Sequence, residues 1–359
     1  MADVISYGGD PAIIATRAEI ERIQFSLASA ANILQGEVEV TDFLNNPLKR
    51  IGLALELPAV RERIDYLMQA LETAANEYFH GEALVAKELT DTGLLSAPLI
   101  AGGLLAVAND AGLLREHLDR VQISQINSSR RFSPTTLAEL AERTRQTDKP
   151  GQITVEKYGQ NFIVFIPGTQ TWNPVAGTNP LDFTSNMQAM LGPGLAASEL
   201  GVQKALAAAG AGPNSRVVLV GHSQGGMVAA NLAKASAKKD NQIKALVTFG
   251  APIGQVAGEL KIPVIAVEHS NDIVPKLGLK ANPMLENMVT VAREVPISKP
   301  IDALVEAHDM QNYNKTAKLA DESQELGIKR VREQVFEVIG SDWQPGQLGQ
   351  VSVFEMRRN

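Results

Sequence analysis

Apolar residues fall into two different rhythms along this chain. In its first third they recur at alternating spacings of three and four: Ile20, Ile23, Leu27, Ala30 and Leu34 make one stripe, and Leu57, Val60, Ile64, Leu67, Leu71, Ala74 and Tyr78 a longer one. Such spacing sets the residues on one face of an α-helix and predicts helices packed side by side at a shallow angle. Asn45, Asn46 and Pro47 lie between the stripes as a turn signal, so an antiparallel helical hairpin is expected, with further helix over 82–118. After residue 150 the rhythm changes to short β-branched runs, "ITVEKYG", "NFIVFIPG", "VVLVG", "KALVTFG" and "PVIAVEH", bounded by glycine, proline or asparagine. Alanine-rich helical segments, "GLAASELGVQKALAAAG" and "GMVAANLAKASAKK", separate them. Strand, helix, strand in that order predicts an α/β domain: a mostly parallel sheet with helices on both faces. The expected organisation is a helical hairpin or bundle over 1–120, a polar linker over 121–149 holding one short helix that begins near Ser133, and the α/β domain over 150–359.

Composition narrows what such a chain does. Its 359 residues are 45% hydrophobic and 20% charged, an ordinary globular balance. A formal net charge of -7 and a pI near 5.4 leave no basic excess to neutralise phosphates, which argues against nucleic acid as a partner. With no cysteine there is no disulfide, thiolate metal site or cysteine nucleophile, and no histidine cluster at ligand spacing suggests a metal; no cofactor is expected. The opening "MADVISYGGDPAII" has no basic leader before an apolar run, so no Sec-type signal peptide is expected. The uncharged run over 92–109 is interrupted by Pro98, Gly102 and Gly103 and reads as a buried or partner-facing helix pair rather than an integral membrane span.

In an open α/β sheet chemistry occurs beyond the C-terminal ends of the strands. There "VVLVGHSQGG" places Gly221, Ser223 and Gly225 as G-x-S-x-G, after a strand and before a helix. A tight turn of this kind lifts a serine hydroxyl clear of the backbone and aims the next amide at a developing oxyanion. A serine nucleophile needs a base and an acid from later strand ends. Of the five histidines, His80 and His117 belong to the helical part, and His222 sits inside the turn, where it is expected to face away from the nucleophile's side and to have a packing or hydrogen-bonding role rather than that of a base. His269 directly follows a strand, and His308, in "EAHDMQNYN", lies downstream of every predicted strand and is the expected base. The expected acid is Asp272 in "VEHSNDIVPKL", with Glu268 as the alternative. "FIVFIPGTQTW" supplies Thr169 after an earlier strand as the second oxyanion donor beside Gln224.

The set "IVFIPGT", "VVLVGHSQGG", "VTFGAPI", "SNDIVPKL" and "AHDMQNY" resembles, in order and spacing, lipases of the fungal and class 3 type within the α/β-hydrolase superfamily, over residues 150–315. The resemblance implies Ser223 as nucleophile, Asp272 as acid, His308 as base, and Thr169 with Gln224 at the oxyanion hole. Secreted fungal lipases carry cysteines that this chain lacks. In lipase-like proteins the segment corresponding to 170–195, here with Trp172, Phe183, Met187, Met190 and Leu191, often covers an acyl pocket; residues 277–300 are a second candidate wall. The expected activity is therefore a serine carboxylic-ester hydrolase acting on an ester or lipid through an acyl-enzyme. Thioesterases and peptidases use the same machinery, and a non-catalytic or export-linked binding protein retaining the fold is the competing class. The N-terminal hairpin, with Tyr78 and Glu82 spaced as Y-x-x-x-E, is similar to WXG100 and ESX-type modules of type VII secretion, though it has no Trp-x-Gly turn. That resemblance implies export without a cleaved signal and a partner helix docking on the hairpin; the alternative is a cytoplasmic hydrolase whose helical domain serves as dimerisation element or lid.

Overall fold

A computed structural model describes residues 4–10, 118–171, 176–191, 195–239, 242–272, 274–278, 280–296, 303–340 and 347–359. The chain divides into two units, residues 1–10 with 85–359, and residues 11–84. The second unit, with both helical stripes and the Tyr78 and Glu82 pair, lies outside the described residues, as does the 92–109 run. Among the described residues no helix is long and apolar enough to cross a membrane.

Nine strands form one sheet: β1 (Ile5–Gly8), β2 (Val121–Phe132), β3 (Gln152–Tyr158), β4 (Asn161–Ile166), β5 (Arg216–His222), β6 (Ile243–Phe249), β7 (Val264–His269), β8 (Met288–Arg293) and β9 (Leu348–Arg358). Their order is β1-β8-β7-β6-β5-β4-β3-β9-β2. The five central strands from β4 to β8 are mutually parallel, and antiparallel pairs flank them, β1 on one side and β3, β9 and β2 on the other. The parallel strands are buried on both faces, which is why they read in sequence as unbroken apolar runs rather than alternating ones. Period-two geometry splits each run between two cores. Phe162, Val164, Ile166, Val217 and Leu219 pack with Val202 of α3 (Ala197–Ala208) and Val228 of α4 (Gln224–Lys239). Ile163, Phe165, Val218 and Val220 face the other way, onto α1 (Leu137–Thr147), α7 (Met310–Glu322) and α8 (Leu326–Gly340). Each fully buried side chain of this size stabilises the fold by about 1.5–3 kcal/mol. Three further helices complete the described part: α2 (Phe183–Leu191), the single-turn α5 (Gly254–Ala257) and α6 (Ala303–His308).

Four segments differ from expectation. Residues 121–132, read as linker, form the long edge strand β2, and 137–147 is the short helix α1, capped by Thr136 rather than by Ser133. β2 is exposed along most of its length and held by its ladder with β9, so it carries little apolar signal. Residues 5–8, expected to belong to a helical region, pair with β8 through Ile5↔Ala292 to Gly8↔Val289. Within 277–300, Met288–Arg293 is a sheet strand with four buried residues. β9 had no counterpart among the expected strands.

A buried charge cluster fastens the antiparallel flank. Glu156 on β3 is fully buried and pairs with Arg143 of α1; Arg143 also donates to Tyr158 Oη (3.2 Å) and to the Phe132 carbonyl (3.0 Å), while Tyr158 donates to Glu156 Oε2 at 2.7 Å. Burial first, then the Glu156 charge, pushes the Tyr158 hydroxyl pKa up, so it remains a donor. Removing one member leaves the other as a buried, uncompensated charge. Glu156→Ala is expected to cost about 3–5 kcal/mol in urea unfolding. Glu142→Ala, which breaks an exposed pair with Arg145, is expected to cost less than about 1 kcal/mol in the same assay.

Candidate active site

Strand β5 ends at His222 and α4 begins at Gln224, leaving Ser223 alone to make the reversal. Its φ is 52°, the sole positive value for a non-glycine among the described residues. A left-handed serine is strained by about 1–3 kcal/mol and persists only where its surroundings fix it. Here Ser223 N donates to the Phe249 carbonyl (2.9 Å), and the Ser223 carbonyl accepts from Gly226 N (3.0 Å). Glycine at 225 is required by contact: a Cβ there would collide with the carbonyls of Ile166 and Pro167 at the end of β4. The turn is thus seated directly on the neighbouring strand.

The loop leaving β4 returns that contact. A Cβ on Gly168 would lie 3.0 Å from the Ser223 Cβ and 3.1 Å from His222 Nδ1, so the chain passes over the serine at van der Waals distance. Next along it, Thr169 has a buried Oγ1 with no hydrogen-bond partner among the described residues. Gln224 opens α4, and first-turn amides of a helix have no acceptor within it. The structure therefore brings the segment bearing Thr169 to the same turn that carries Ser223 and Gln224.

On the other side stand Asp272 and His308. Asp272 follows β7 in a turn closed by its own amide on the His269 carbonyl (3.0 Å) and is 1% exposed. His308 ends α6 and donates from Nδ1 to Asp272 Oδ2 at 2.6 Å; Tyr313 of α7 donates to the same oxygen at 2.6 Å, and Val274 N to Oδ1 at 2.9 Å. Burial raises the Asp272 carboxyl pKa, but these donors and the His308 charge outweigh it, so the net shift is downward and the carboxylate stays ionised. Glu268, the alternative acid, instead accepts from Asn282 Nδ2 at 2.6 Å; burial, helped by the Asp272 charge, pushes its pKa up to about 7.

Three further residues surround the pair; Tyr313 escaped the sequence reading, and for His269 and His222 the sequence did not give their partners. Tyr313 stacks on His269 with ring centroids 3.8 Å apart, filling space that Gly250, at φ 57°, leaves open beside it. His269 donates from Nδ1 to the Ala307 carbonyl (2.6 Å) and accepts from Thr316 Oγ1 (2.9 Å), holding the residue before His308. His222, expected to have a packing or hydrogen-bonding role, donates from Nε2 to the His308 carbonyl (3.1 Å), its ring 4.6 Å from that of His308. Burial is the main cause that lowers both imidazoles, His222 to about 3 and His269 to about 4, so both are neutral near pH 7. The signal for Tyr313 lay in the sequence as an aromatic five residues after His308, but nothing there gave its partner. On α2, Phe183, Met187 and Met190 are half-buried; Trp172 and the Leu191 side chain lie outside the described residues.

Residues 181–298 match a family profile described as a PGAP1-like alpha/beta domain. The matched stretch includes Ser223, Gln224 and Asp272 and ends before His308. No curated protein matches the chain significantly. Among solved structures that match is the lipase from Rhizopus microsporus var. chinensis, 16% identical over 56% of this chain and 74% of that one, with a TM-score of 0.23. The parallel core, with its serine turn between β5 and the following helix, gives the chain an α/β-hydrolase-like fold.

The depressed imidazoles tie stability to pH. From pH 6.5, the ordinary histidine value, down to about 4, the unfolded chain takes up two protons that folded His222 and His269 refuse. Stability therefore falls as pH falls. Glu268 opposes this with at most one proton, because its raised value lets the folded chain bind more between 4.5 and about 7. Denaturant unfolding is expected to give lower stability at pH 5 than at pH 7, and His269→Gln a shallower slope. A higher stability at pH 5 would show the imidazoles to be solvated.

Proposed function

We propose that this chain is a serine carboxylic-ester hydrolase working through an acyl-enzyme, with Ser223 as nucleophile, His308 as base and Asp272 as acid. The observation that carries the reading is the 2.6 Å bond from His308 Nδ1 to the buried Asp272 carboxylate, with the His308 ring 4.6 Å from that of His222, the residue before a serine held at positive φ. Ser223 Oγ attacks the ester carbonyl carbon while His308 Nε2 takes the hydroxyl proton, and Asp272 stabilises the imidazolium that forms. The carbonyl oxygen, now an oxyanion, accepts hydrogen bonds from Thr169 and from the Gln224 amide. Collapse of the tetrahedral intermediate breaks the ester C–O bond, and the alcohol leaves with the proton from His308. Water, deprotonated by the same imidazole, then releases the carboxylic acid and restores Ser223. The unpaired Thr169 hydroxyl supports its part in this scheme, since a buried donor without a partner costs free energy unless a ligand uses it. Half-buried Phe183, Met187 and Met190 on α2 favour an apolar acyl group.

Hydrolysis of p-nitrophenyl esters from acetate to palmitate tests the reading and sets the chain length. Ser223→Ala is expected to abolish turnover; equal rates in wild type and variant would sink the proposal. Asp272→Asn is expected to lower kcat about 10⁴-fold, the scale seen when a triad acid loses its charge. Glu268→Gln should retain most activity; the reverse ranking would make Glu268 the acid. Thr169→Ala is expected to cost about 3 kcal/mol of transition-state stabilisation, read from kcat.

A further inference from the structure

One buried ion pair near the site has no part in this chemistry. Asp182, 1% exposed, and Arg358, 6% exposed, meet through Asp182 Oδ1 and Arg358 Nη2 at 2.7 Å. Desolvating two charges is costly, and a buried pair stabilises a fold poorly compared with apolar packing of the same volume; its best use is to fix one geometry. What this pair fixes follows from the bonds around it. Asp182 Oδ1 also accepts from Ser185 N (2.9 Å), and Oδ2 accepts from Gly177 N (3.2 Å). The Asp182 backbone forms an isolated parallel bridge with Thr171; Gln170 N donates to the Leu181 carbonyl (2.7 Å), and Phe183 N to the Thr171 carbonyl (2.8 Å). The Asp182 carbonyl accepts from Gln224 Nε2 at 3.3 Å.

Residues 181–183 thus join the two polypeptide segments that carry the oxyanion donors. On one side they hold Gln170 and Thr171, which follow Thr169; on the other they hold the side chain of Gln224. The far anchor is β9, where Arg358 N donates to the Thr178 carbonyl (2.7 Å) and Arg358 Nη2 reaches the Asn179 carbonyl (3.5 Å). Asn179 Nδ2 donates in turn to Gln170 Oε1 (2.9 Å), which also accepts from Gly151 N (2.8 Å).

We infer that Asp182 and Arg358 are positioning residues: their ion pair clamps segment 181–183 so that Thr169 and Gln224 converge on one oxyanion. The geometry stands by itself, while its catalytic consequence rests on the ester-hydrolase reading. Neither residue touches the reacting atoms. Loosening the clamp alters the spacing of donors that matter most in the transition state, so kcat falls and KM does not.

Two measurements on the full-length protein test this. In the first, kcat per titrated active site is determined for Asp182→Asn, Arg358→Met and Arg358→Lys. The first two are expected to lose about 10- to 100-fold in kcat, the scale of a roughly 1 Å misplacement, with KM unchanged. The lysine, which keeps the charge, is expected to recover most of the loss. In the second, amide hydrogen exchange is followed in the Ser223→Ala background with and without Asp182→Asn. Exchange at Thr169, Gln170 and Thr171 is expected to quicken while the amides of β5 keep their protection, which separates local release from unfolding. Unchanged exchange at those three positions, an unchanged kcat, or a uniform loss of protection that includes β5 overturns the inference. If the wild type hydrolyses no ester, the enzyme reading fails, and the exchange experiment alone decides whether the clamp exists.

Discussion

The site depends on one backbone-to-backbone contact, that of the Ser223 turn against the end of β4. Parallel pairing puts Ile166 level with Gly221, so the last residues of two adjacent strands leave the sheet at the same height. Gly225 then lies on the Ile166 and Pro167 carbonyls, and Gly168 closes over Ser223 from the other side. At Gly225 the facing atoms are all main chain, so the seat of the turn on β4 is set by backbone geometry and not by rotamers, while at Gly168 the loop meets the Ser223 Cβ and the His222 ring. The strain of a left-handed serine is offset by a parallel core buried on both faces, which cannot yield at that point without opening the β4–β5 ladder. The same contact explains why a loop of the composition Pro167-Gly168-Thr169 belongs there: any Cβ at 168 would meet Ser223 or His222 too closely.

How much of this could be read from sequence follows from where each element draws its stability. β4 to β7 are stabilised by apolar burial on two faces, and burial leaves a compositional trace, so those runs, the glycine-flanked serine, and the order of serine, acid and histidine were all legible. β2 is stabilised largely by its hydrogen bonds with β9 and is solvated for most of its length, so "QISQINSSRR" read as linker. β1 is four residues long and takes its place only because β8 offers an edge. For His222 the kind of role was legible but its partner was not: alternation assigns neighbouring residues to opposite faces only while the backbone is extended, and the left-handed Ser223 ends that rule one residue beyond His222, beside the incoming His308. Tyr313 and His269 are 44 residues apart and meet only because α7 packs across the end of β7, a long-range coincidence that no local pattern records.

The surroundings of His308 also follow a single electrostatic logic. In a triad mechanism the imidazole gains a proton at the moment of attack, and each nearby cation would oppose that step. The two nearest imidazoles are arranged so that they stay uncharged: His222 spends its Nε2 hydrogen on the His308 carbonyl, His269 its Nδ1 hydrogen on the Ala307 carbonyl, and burial keeps both far below neutral pH. Each therefore serves as a neutral brace on the backbone that bears His308. The carboxyls are treated the same way. Asp272 receives three donors and is ionised, whereas Glu268 holds its proton to about pH 7 because burial, helped by the Asp272 charge, outweighs its one amide donor. Below that pH the negative charge beside His308 comes from Asp272, the carboxylate bonded to it, and is not shared with Glu268.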